Sequence, residues 1–95
     1  MKAPENISEA VKAAADCLRR HGAREVYVFG SAASGSLREG SDVDLAVAGL
    51  PPDKFFEAMG QASDLLDRPL DLIDLDEDTL FTAYLKEKGK LRRVA

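Results

Sequence analysis

A glycine-serine pair and two aspartates stand close together near the middle of the chain. Gly30 and Ser31 are followed, after ten intervening residues, by Asp42 and Asp44. Alternate residues of a β-strand point to the same side, so Asp42 and Asp44 would present two carboxylates about 6 to 7 Å apart along the backbone. Such a pair repels itself unless a cation lies between its members. Mg²⁺ prefers carboxylate oxygens, water and substrate phosphate as ligands, so the pair predicts a metal clamp for a nucleotide.

A later acidic segment offers a third carboxylate. Residues 69–75 form a short apolar run that contains two acidic residues, Asp71 and Asp74, and the run predicts another strand. A carboxylate from a neighbouring strand would complete a two-metal arrangement, in which one ion activates the attacking oxygen and the other stabilises the leaving pyrophosphate. Asp71 is the better candidate for this ligand. Asp74 lies three residues further along and therefore faces the other side of the sheet, unless the strand carries a bulge.

Three small residues are the candidates for holding the phosphates. Gly30 lets the backbone approach a ligand closely, and a turn of helix after Ser31 would offer unpaired N–H groups, together with the Ser31 hydroxyl, to phosphate oxygens. Ser41, directly before Asp42, is either a solubilising loop residue, or a residue that caps the local backbone or contacts a phosphate. If the end of the first strand and the start of the second both line this site, the two strands must run antiparallel. We therefore expect a mixed sheet.

Hydrophobic patterning predicts the elements in the first half of the chain. Apolar residues recur at helical spacing from Ile7 to Leu18, after a capping-box pattern that starts at Asn6, and Gly22 would end this helix. Residues 24–29 and 42–48 have the composition and alternation of strands, and they flank a polar, glycine-rich loop.

The second half predicts two further helices around the third strand. One helix begins at Pro51 and Pro52, and its apolar stripe contains Phe55, Met59, Ala62 and Leu66. The last helix runs from about residue 77 to 88, with Gly89 as its stop and an inward face made of Leu80, Ala83 and Tyr84. Residues 91–94 add a short edge strand. The order αβ(loop)βαβα predicts an α/β (α+β) fold, a small mixed sheet flanked by helices, in one domain over residues 1–95.

Composition limits the class of function. The chain has 95 residues and a formal net charge of −4, which suits one domain and disfavours an extended nucleic-acid interface, since duplex binding relies on clustered Lys and Arg. Cys17 is the single cysteine and has no partner in the chain for a disulfide. Because no apolar run is long enough for a membrane span or a signal peptide, we expect a soluble cytoplasmic protein.

At these residues the chain resembles the minimal nucleotidyltransferases, or MNT group, of the DNA polymerase beta superfamily. Their signature is Gly-Ser, about ten residues, Asp-x-Asp and a later strand aspartate. The resemblance implies that Gly30 and Ser31 hold the phosphates, that Asp42 and Asp44 bind Mg²⁺, and that Asp71 completes the metal site and serves as general base. It also implies transfer of a nucleoside monophosphate from a triphosphate to an acceptor hydroxyl, with release of pyrophosphate.

The same resemblance implies a partner. Family members this short are commonly encoded beside a helical HEPN-domain protein, in toxin–antitoxin pairs in which the nucleotidyltransferase adenylylates and silences the HEPN ribonuclease. The expected function is therefore Mg²⁺-dependent transfer of AMP from ATP to a HEPN-type protein. Two alternatives stay open: a binding module that masks its partner stoichiometrically, and a transferase for a small-molecule hydroxyl, such as that of an antibiotic, completed by a homodimer or a separate subunit.

One position departs from the family pattern. Many relatives carry a basic residue, in a sequence like Gly-Ser-x-Ala-Arg-Gly, where this chain has Ser34. The missing cation should weaken triphosphate binding or leaving-group stabilisation by about 1 to 3 kcal/mol, unless Arg38 of the same loop replaces it. Basic residues near the C-terminus either complement the end of the last helix or contact an acidic partner or acceptor nucleic acid. They are Lys86, Lys88, Lys90, Arg92 and Arg93.

Overall fold

The computed structural model describes residues 3–30, 42–88 and 91–95, with side chains from Glu9 onward. The helices within these ranges are α1 (Ala3–Arg20), α2 (Phe55–Leu66) and α3 (Leu80–Glu87), and a short 3₁₀ helix (Pro52–Lys54) leads into α2. The strands are β1 (Glu25–Phe29), β2 (Val43–Ala48), β3 (Leu70–Asp74) and β4 (Arg92–Arg93). Within the described ranges, no helix is both long enough and apolar enough to cross a bilayer.

The four strands form one mixed sheet in the order β3-β2-β1-β4. Strand β1 pairs antiparallel with both β2 and β4, whereas β2 pairs parallel with β3. The predicted antiparallel pairing of the first two strands and the predicted fold class are therefore confirmed. The edge strand expected over residues 91–94 is present in a shorter form as β4.

Helices α1 and α2 cover one face of the sheet and enclose the larger core. Fully buried residues from the central strands, such as Val26, Leu45 and Val47, pack there against Ala14 and Leu18 of α1 and against α2. Burying each valine or leucine contributes about 1.5 to 3 kcal/mol, so this layer supplies most of the stabilising apolar burial. The predicted apolar stripe of α2 is confirmed, because Phe55, Met59, Ala62 and Leu66 all belong to this cluster.

The other face of the sheet carries a smaller core, covered by α3. Phe29, Ala46, Leu75 and Leu85 are buried there, and Tyr27, Ile73 and Leu91 pack around them. Asp44 and Asp71 alternate with buried residues of the larger core and therefore belong to this second face. They lie near the starts of β2 and β3, where Asp71 is exposed and Asp44 is partly buried.

Helix α1 begins earlier than predicted and ends as predicted. It starts at Ala3 and passes through Asn6, so Asn6 is not its N-cap; Pro4 suits the first turn, where a missing N–H costs nothing. At the other end, Gly22 has a φ of 120°. Its N–H donates to the carbonyl of Arg19 at 3.0 Å, and the N–H of Ala23 donates to Leu18 at 3.1 Å, which is the bonding of a Schellman cap.

The predicted inward face of the last helix is wrong. Leu80 is 92% exposed and Tyr84 is 48% exposed, whereas Thr82 and Leu85 are buried. The cap determines this phase: Thr79 and Thr82 form a reciprocal capping box, and the Thr82 hydroxyl donates to the carbonyl of Glu77 at 2.7 Å. A satisfied hydroxyl can be buried at little cost, so Thr82 turns inward and the larger apolar residues turn outward. The predicted stop, Gly89, lies outside the described residues.

Candidate active site

The strand register brings the predicted carboxylates together. Asp44 lies opposite Asp71 across the parallel β2–β3 pair and opposite Phe29 across the antiparallel β1–β2 pair. Neighbouring strands are about 4.8 Å apart, so the Asp44 and Asp71 side chains project side by side from the same face. Asp42 directly precedes β2 and lies close enough to Asp44 to act on its charge. The structure thus places Asp42, Asp44 and Asp71 at one end of the sheet.

Asp44 is the least exposed member of this group. Its side chain is partly buried, while Asp42 and Asp71 are exposed. Burial raises the pKa of the Asp44 carboxyl above its ordinary value, and the negative charges of Asp71 and Asp42 raise that pKa further. The group therefore carries an excess of negative charge that a cation would offset.

The donor set fits a hard divalent cation that is bound together with its substrate. Within the described parts of the chain, no three His, Cys, Asp or Glu side chains are arranged so that they could hold a metal ion by themselves. Mg²⁺ does not need such an arrangement, because it usually keeps several waters and is held by one or two carboxylates plus substrate phosphates. Asp42 and Asp44 are the residues that would hold the ion, and Asp71 is the third oxygen donor beside them.

Gly30 determines where the Asp44 carboxylate can lie. It directly follows β1 and has a φ of 67°, in the left-handed region. A Cβ atom built on Gly30 would collide with Oδ2 of Asp44. Any other residue would therefore strain the turn and push the carboxylate away, so the glycine is needed on both counts. Ser31 and Ser41, the other predicted phosphate-binding residues, lie outside the described residues, as do Ser34 and Arg38.

Asp74 has a different environment at the far end of β3. Its Oδ1 atom accepts a hydrogen bond from the N–H of Asp76 at 2.9 Å, and Oδ2 of Asp76 accepts one from the N–H of Gly49 at 2.7 Å. These bonds tie the end of β3 to the end of β2. Asp76 is not among the predicted site residues, although an aspartate just after a strand is a typical turn former.

Cys17 and His21 belong to the helix-packing layer on the opposite side of the sheet. Nδ1 of His21 lies 2.8 Å from the carbonyl oxygen of Cys17, and Nε2 lies 3.7 Å from Glu57 on α2. Burial raises the pKa of the Cys17 thiol, which disfavours the reactive thiolate. Both residues therefore act in packing α1 against α2.

The basic residues near the C-terminus are only partly described. Arg93 on β4 lies 3.8 Å from the carboxylate of Glu25 on β1, an exposed ion pair across the two strands. Lys90 lies outside the described residues.

An aromatic contact links the site to α3. The ring of Phe81 packs edge-on against Phe29, with centroids 6.0 Å apart. Since Phe29 is the strand partner of Asp44, this contact joins α3 to the end of the sheet that carries the carboxylates. No sequence pattern predicts the contact, because Phe81 falls outside the predicted inward stripe.

The geometry has parallels among solved structures. A minimal nucleotidyltransferase superposes with a TM-score of 0.74 at 24% identity, covering 99% of this chain and 96% of that one. A toxin–antitoxin complex with AMP-PNP superposes with a TM-score of 0.68 at 21% identity, over 99% and 73% of the two chains. A complex of the tri-AMPylated Shewanella oneidensis HEPN toxin with its MNT antitoxin gives 0.66 at 19% identity, over 93% and 71%. At these identities the likeness shows a shared fold.

Sequence comparison gives the family. No curated protein matches the chain significantly. The profile of the family described as polymerase beta, nucleotidyltransferase matches residues 12–91, a span that contains Gly30, Asp42, Asp44 and Asp71. With the matching fold and the carboxylates on adjacent strands, the chain belongs to the polymerase beta nucleotidyltransferase family.

Proposed function

We propose that this chain is a Mg²⁺-dependent protein adenylyltransferase, which moves AMP from ATP to a hydroxyl of a helical HEPN-type protein and so acts as the antitoxin of a toxin–antitoxin pair. The observation that carries the proposal is the register that sets Asp44 beside Asp71 next to the Gly30 turn. Family membership supports the reaction class. The toxin–antitoxin complexes with the same fold, one holding AMP-PNP and one an AMPylated toxin, support the nucleotide and the partner.

Each aspartate has a role that follows from its position. Asp42 and Asp44 bind the cations, because they are adjacent on one side of β2 and share an excess of negative charge. When bound, Mg²⁺ neutralises the triphosphate oxygens and stabilises the leaving pyrophosphate. Gly30 leaves room for the Asp44 carboxylate, and Gly30, Ser31 and Ser41 bind the phosphates.

Asp71 is the general base in this proposal. It is exposed on β3, the outermost strand on its side of the sheet, so an acceptor can approach it from solvent. The acceptor oxygen forms a bond to the α-phosphorus, and the bond from that phosphorus to the bridging oxygen of pyrophosphate breaks. The proton of the acceptor hydroxyl passes to the Asp71 carboxylate, and the electron pair of the broken bond leaves with pyrophosphate.

Intact mass spectrometry tests this function. The helical protein encoded beside this chain is incubated with the chain, ATP and MgCl₂, and its mass should rise by one or more AMP units. Asp42→Asn and Asp44→Asn should abolish the gain. Asp64→Asn, which makes the same charge change at an exposed position of α2, should leave it intact.

The same assay separates the two alternatives. No mass gain, together with a stable complex of the two proteins, would favour stoichiometric masking. AMP transfer to small hydroxyl compounds in the absence of the helical protein would favour a small-molecule transferase.

A further inference from the structure

Helix α3 presents an apolar stripe to solvent. Leu80, Phe81 and Tyr84 are 92%, 45% and 48% exposed, and their spacing of i, i+1 and i+4 places them on one side of the helix. Thr82 and Leu85 occupy the buried side. Large apolar residues grouped on one exposed helical face are typical of a binding surface, whereas single exposed ones are ordinary.

The stripe continues into a groove beside the outermost strand. This groove has a volume of about 380 Å³ and lies between the start of α2 and the start of α3, next to the end of β3. Pro52, Phe55 and Phe56 form one wall, and Thr79 and Phe81 belong to the other. Phe56 is 75% exposed, and its ring packs edge-on against Phe55, so this wall presents an aromatic, apolar surface.

The groove is continuous with the catalytic face. Phe81 lines the groove and also contacts Phe29, which lies opposite Asp44 in the sheet. Along β3, Ile73 in the groove and Asp71 in the site are two residues apart, which is about 7 Å, and both belong to the second face of the sheet. A chain seated in the groove would therefore bring its neighbouring residues to the carboxylates.

The charge around the groove indicates the occupant. Its lining residues come from two chain segments, residues 52–56 and 72–82, which contain five acidic residues and a single basic one, Lys54. Asp74 and Glu77 line the groove itself, and Asp53, Asp76 and Asp78 are their neighbours in the sequence. Such a rim repels a triphosphate, and it would also repel the same rim of a second copy across a two-fold axis. It attracts a partner whose apolar side chains are flanked by lysine or arginine.

We propose that this groove, with the exposed stripe of α3, is the docking site for the protein acceptor, and that it takes an amphipathic segment carrying Lys or Arg beside its apolar anchors. The inference rests on the proposed function for its choice of partner. In this arrangement recognition is separate from chemistry: the groove selects the acceptor, and the aspartates at the adjoining end of the sheet act on its hydroxyl. Aromatic side chains that become buried when two proteins bind commonly dominate the affinity of the interface.

Calorimetric titration with the purified helical protein encoded beside this chain tests the docking site in the absence of ATP. Phe56→Ala combined with Leu80→Ala removes two exposed anchors that contribute little to the core, and it should weaken binding at least tenfold. Leu65→Ala is the matched control. Leu65 is 45% exposed on α2. It follows Phe56 by nine residues, about two and a half turns, and therefore faces the other side of the helix. Its alanine variant should bind the helical protein as wild type does.

A charge variant tests the rim separately. Glu77→Lys reverses one exposed charge and should weaken binding about threefold or more at low salt, with a smaller effect at about 0.5 M NaCl because salt screens the interaction. Unchanged affinity in both the anchor and the charge variants, or no binding by the wild-type chain, would overturn the docking site.

Two further readouts keep docking and catalysis distinguishable. A thermal shift with ATP and MgCl₂ reports nucleotide binding, which should be unchanged in the anchor variant; a parallel loss would make the groove a nucleotide subsite and overturn the proposal. Mass spectrometry reports AMP transfer. If the Phe56→Ala, Leu80→Ala variant binds the helical protein more weakly but the wild-type chain transfers no AMP to it, the docking site is upheld and the proposed function is refuted. If this variant transfers AMP as fast as wild type at low acceptor concentration, the docking site alone is refuted.

Discussion

Replacing Asp44 with asparagine should stabilise the protein in the absence of metal. The carboxylate is partly buried beside Asp71 and Asp42, and both the burial and these charges raise its pKa. An acid whose pKa is higher in the folded state than in the unfolded state binds its proton more tightly when folded. Its ionisation therefore costs stability, and that cost is present at pH 7 and disappears as the pH falls below the unfolded-state pKa. The amide of the variant has no charge to ionise, so it avoids this cost.

The strand geometry gives the magnitude. Two unit charges about 5 Å apart repel by about 0.8 kcal/mol in water and about 3 kcal/mol at an effective dielectric constant of 20. Asp71 is exposed, so the lower end applies, and we expect a gain of about 1 kcal/mol at pH 7. For a domain of this size, such a gain raises Tm by about 4 to 8 °C.

Calorimetry in EDTA at pH 7 and at pH 3.5 measures this effect. The gain in Tm should be present at pH 7 and should shrink at pH 3.5, because a carboxyl with a raised pKa takes up its proton as the pH falls and the cost of its charge is then lost. A second arm adds MgCl₂ and a non-hydrolysable ATP analogue, which should stabilise the wild-type chain and leave the variant unchanged.

Asp64→Asn is the control for the change in net charge. It lies exposed on α2, away from the carboxylate cluster, and it should shift Tm by much less. An Asp44→Asn variant that is no more stable than wild type at pH 7, or a control that gains as much, would refute the argument from local repulsion.

Three further predictions concern the glycine turn, the cap and the buried thiol. Gly30→Ala should destabilise the fold by about 1 to 2 kcal/mol in urea unfolding, because the φ of residue 30 is left-handed, and a variant as stable as wild type would contradict this argument. The same variant should also bind Mg²⁺ with ATP more weakly in a thermal shift, because the new methyl group displaces the Asp44 carboxylate. Thr82→Val should lower the free energy of unfolding in urea by about 1 to 2 kcal/mol, because it removes the hydrogen bond to the carbonyl of Glu77 and half of the capping box. Thr79→Ser should keep the cap and most of the stability. Cys17 should react slowly with iodoacetamide at pH 8 in the native protein and at the rate of a free thiol in urea, because burial raises its pKa and blocks access; equal rates would contradict its packing role.

Local sequence chemistry was sufficient for part of the fold. The alternation of Asp42 and Asp44 with valine and leucine predicts that both carboxylates lie on one side of a strand, whatever its partner strands are. Gly22 ended α1 because a left-handed C-terminal cap needs a residue without Cβ. Both inferences depend on neighbours within a few residues.

Other features needed the assembled protein. Helix α3 has apolar residues on more than one side, so periodicity could not determine which side faces the sheet, and the hydrogen bonds of Thr82 decided it. The outward stripe that resulted is the surface we assign to partner docking. The contact of Phe29 with Phe81 likewise joins residues far apart in the sequence.

The candidate site shows the same division. The sequence by itself determined which residue types could hold a nucleotide through metal ions, since the spacing of Gly30, Asp42 and Asp44 follows from strand geometry and side-chain chemistry. Only the tertiary structure decided that Asp71 stands directly beside Asp44 and that Gly30 closes against it. The physical reason is that strand register and backbone approach are set by packing between distant segments, and a shift of one residue would have turned Asp71 to the opposite face.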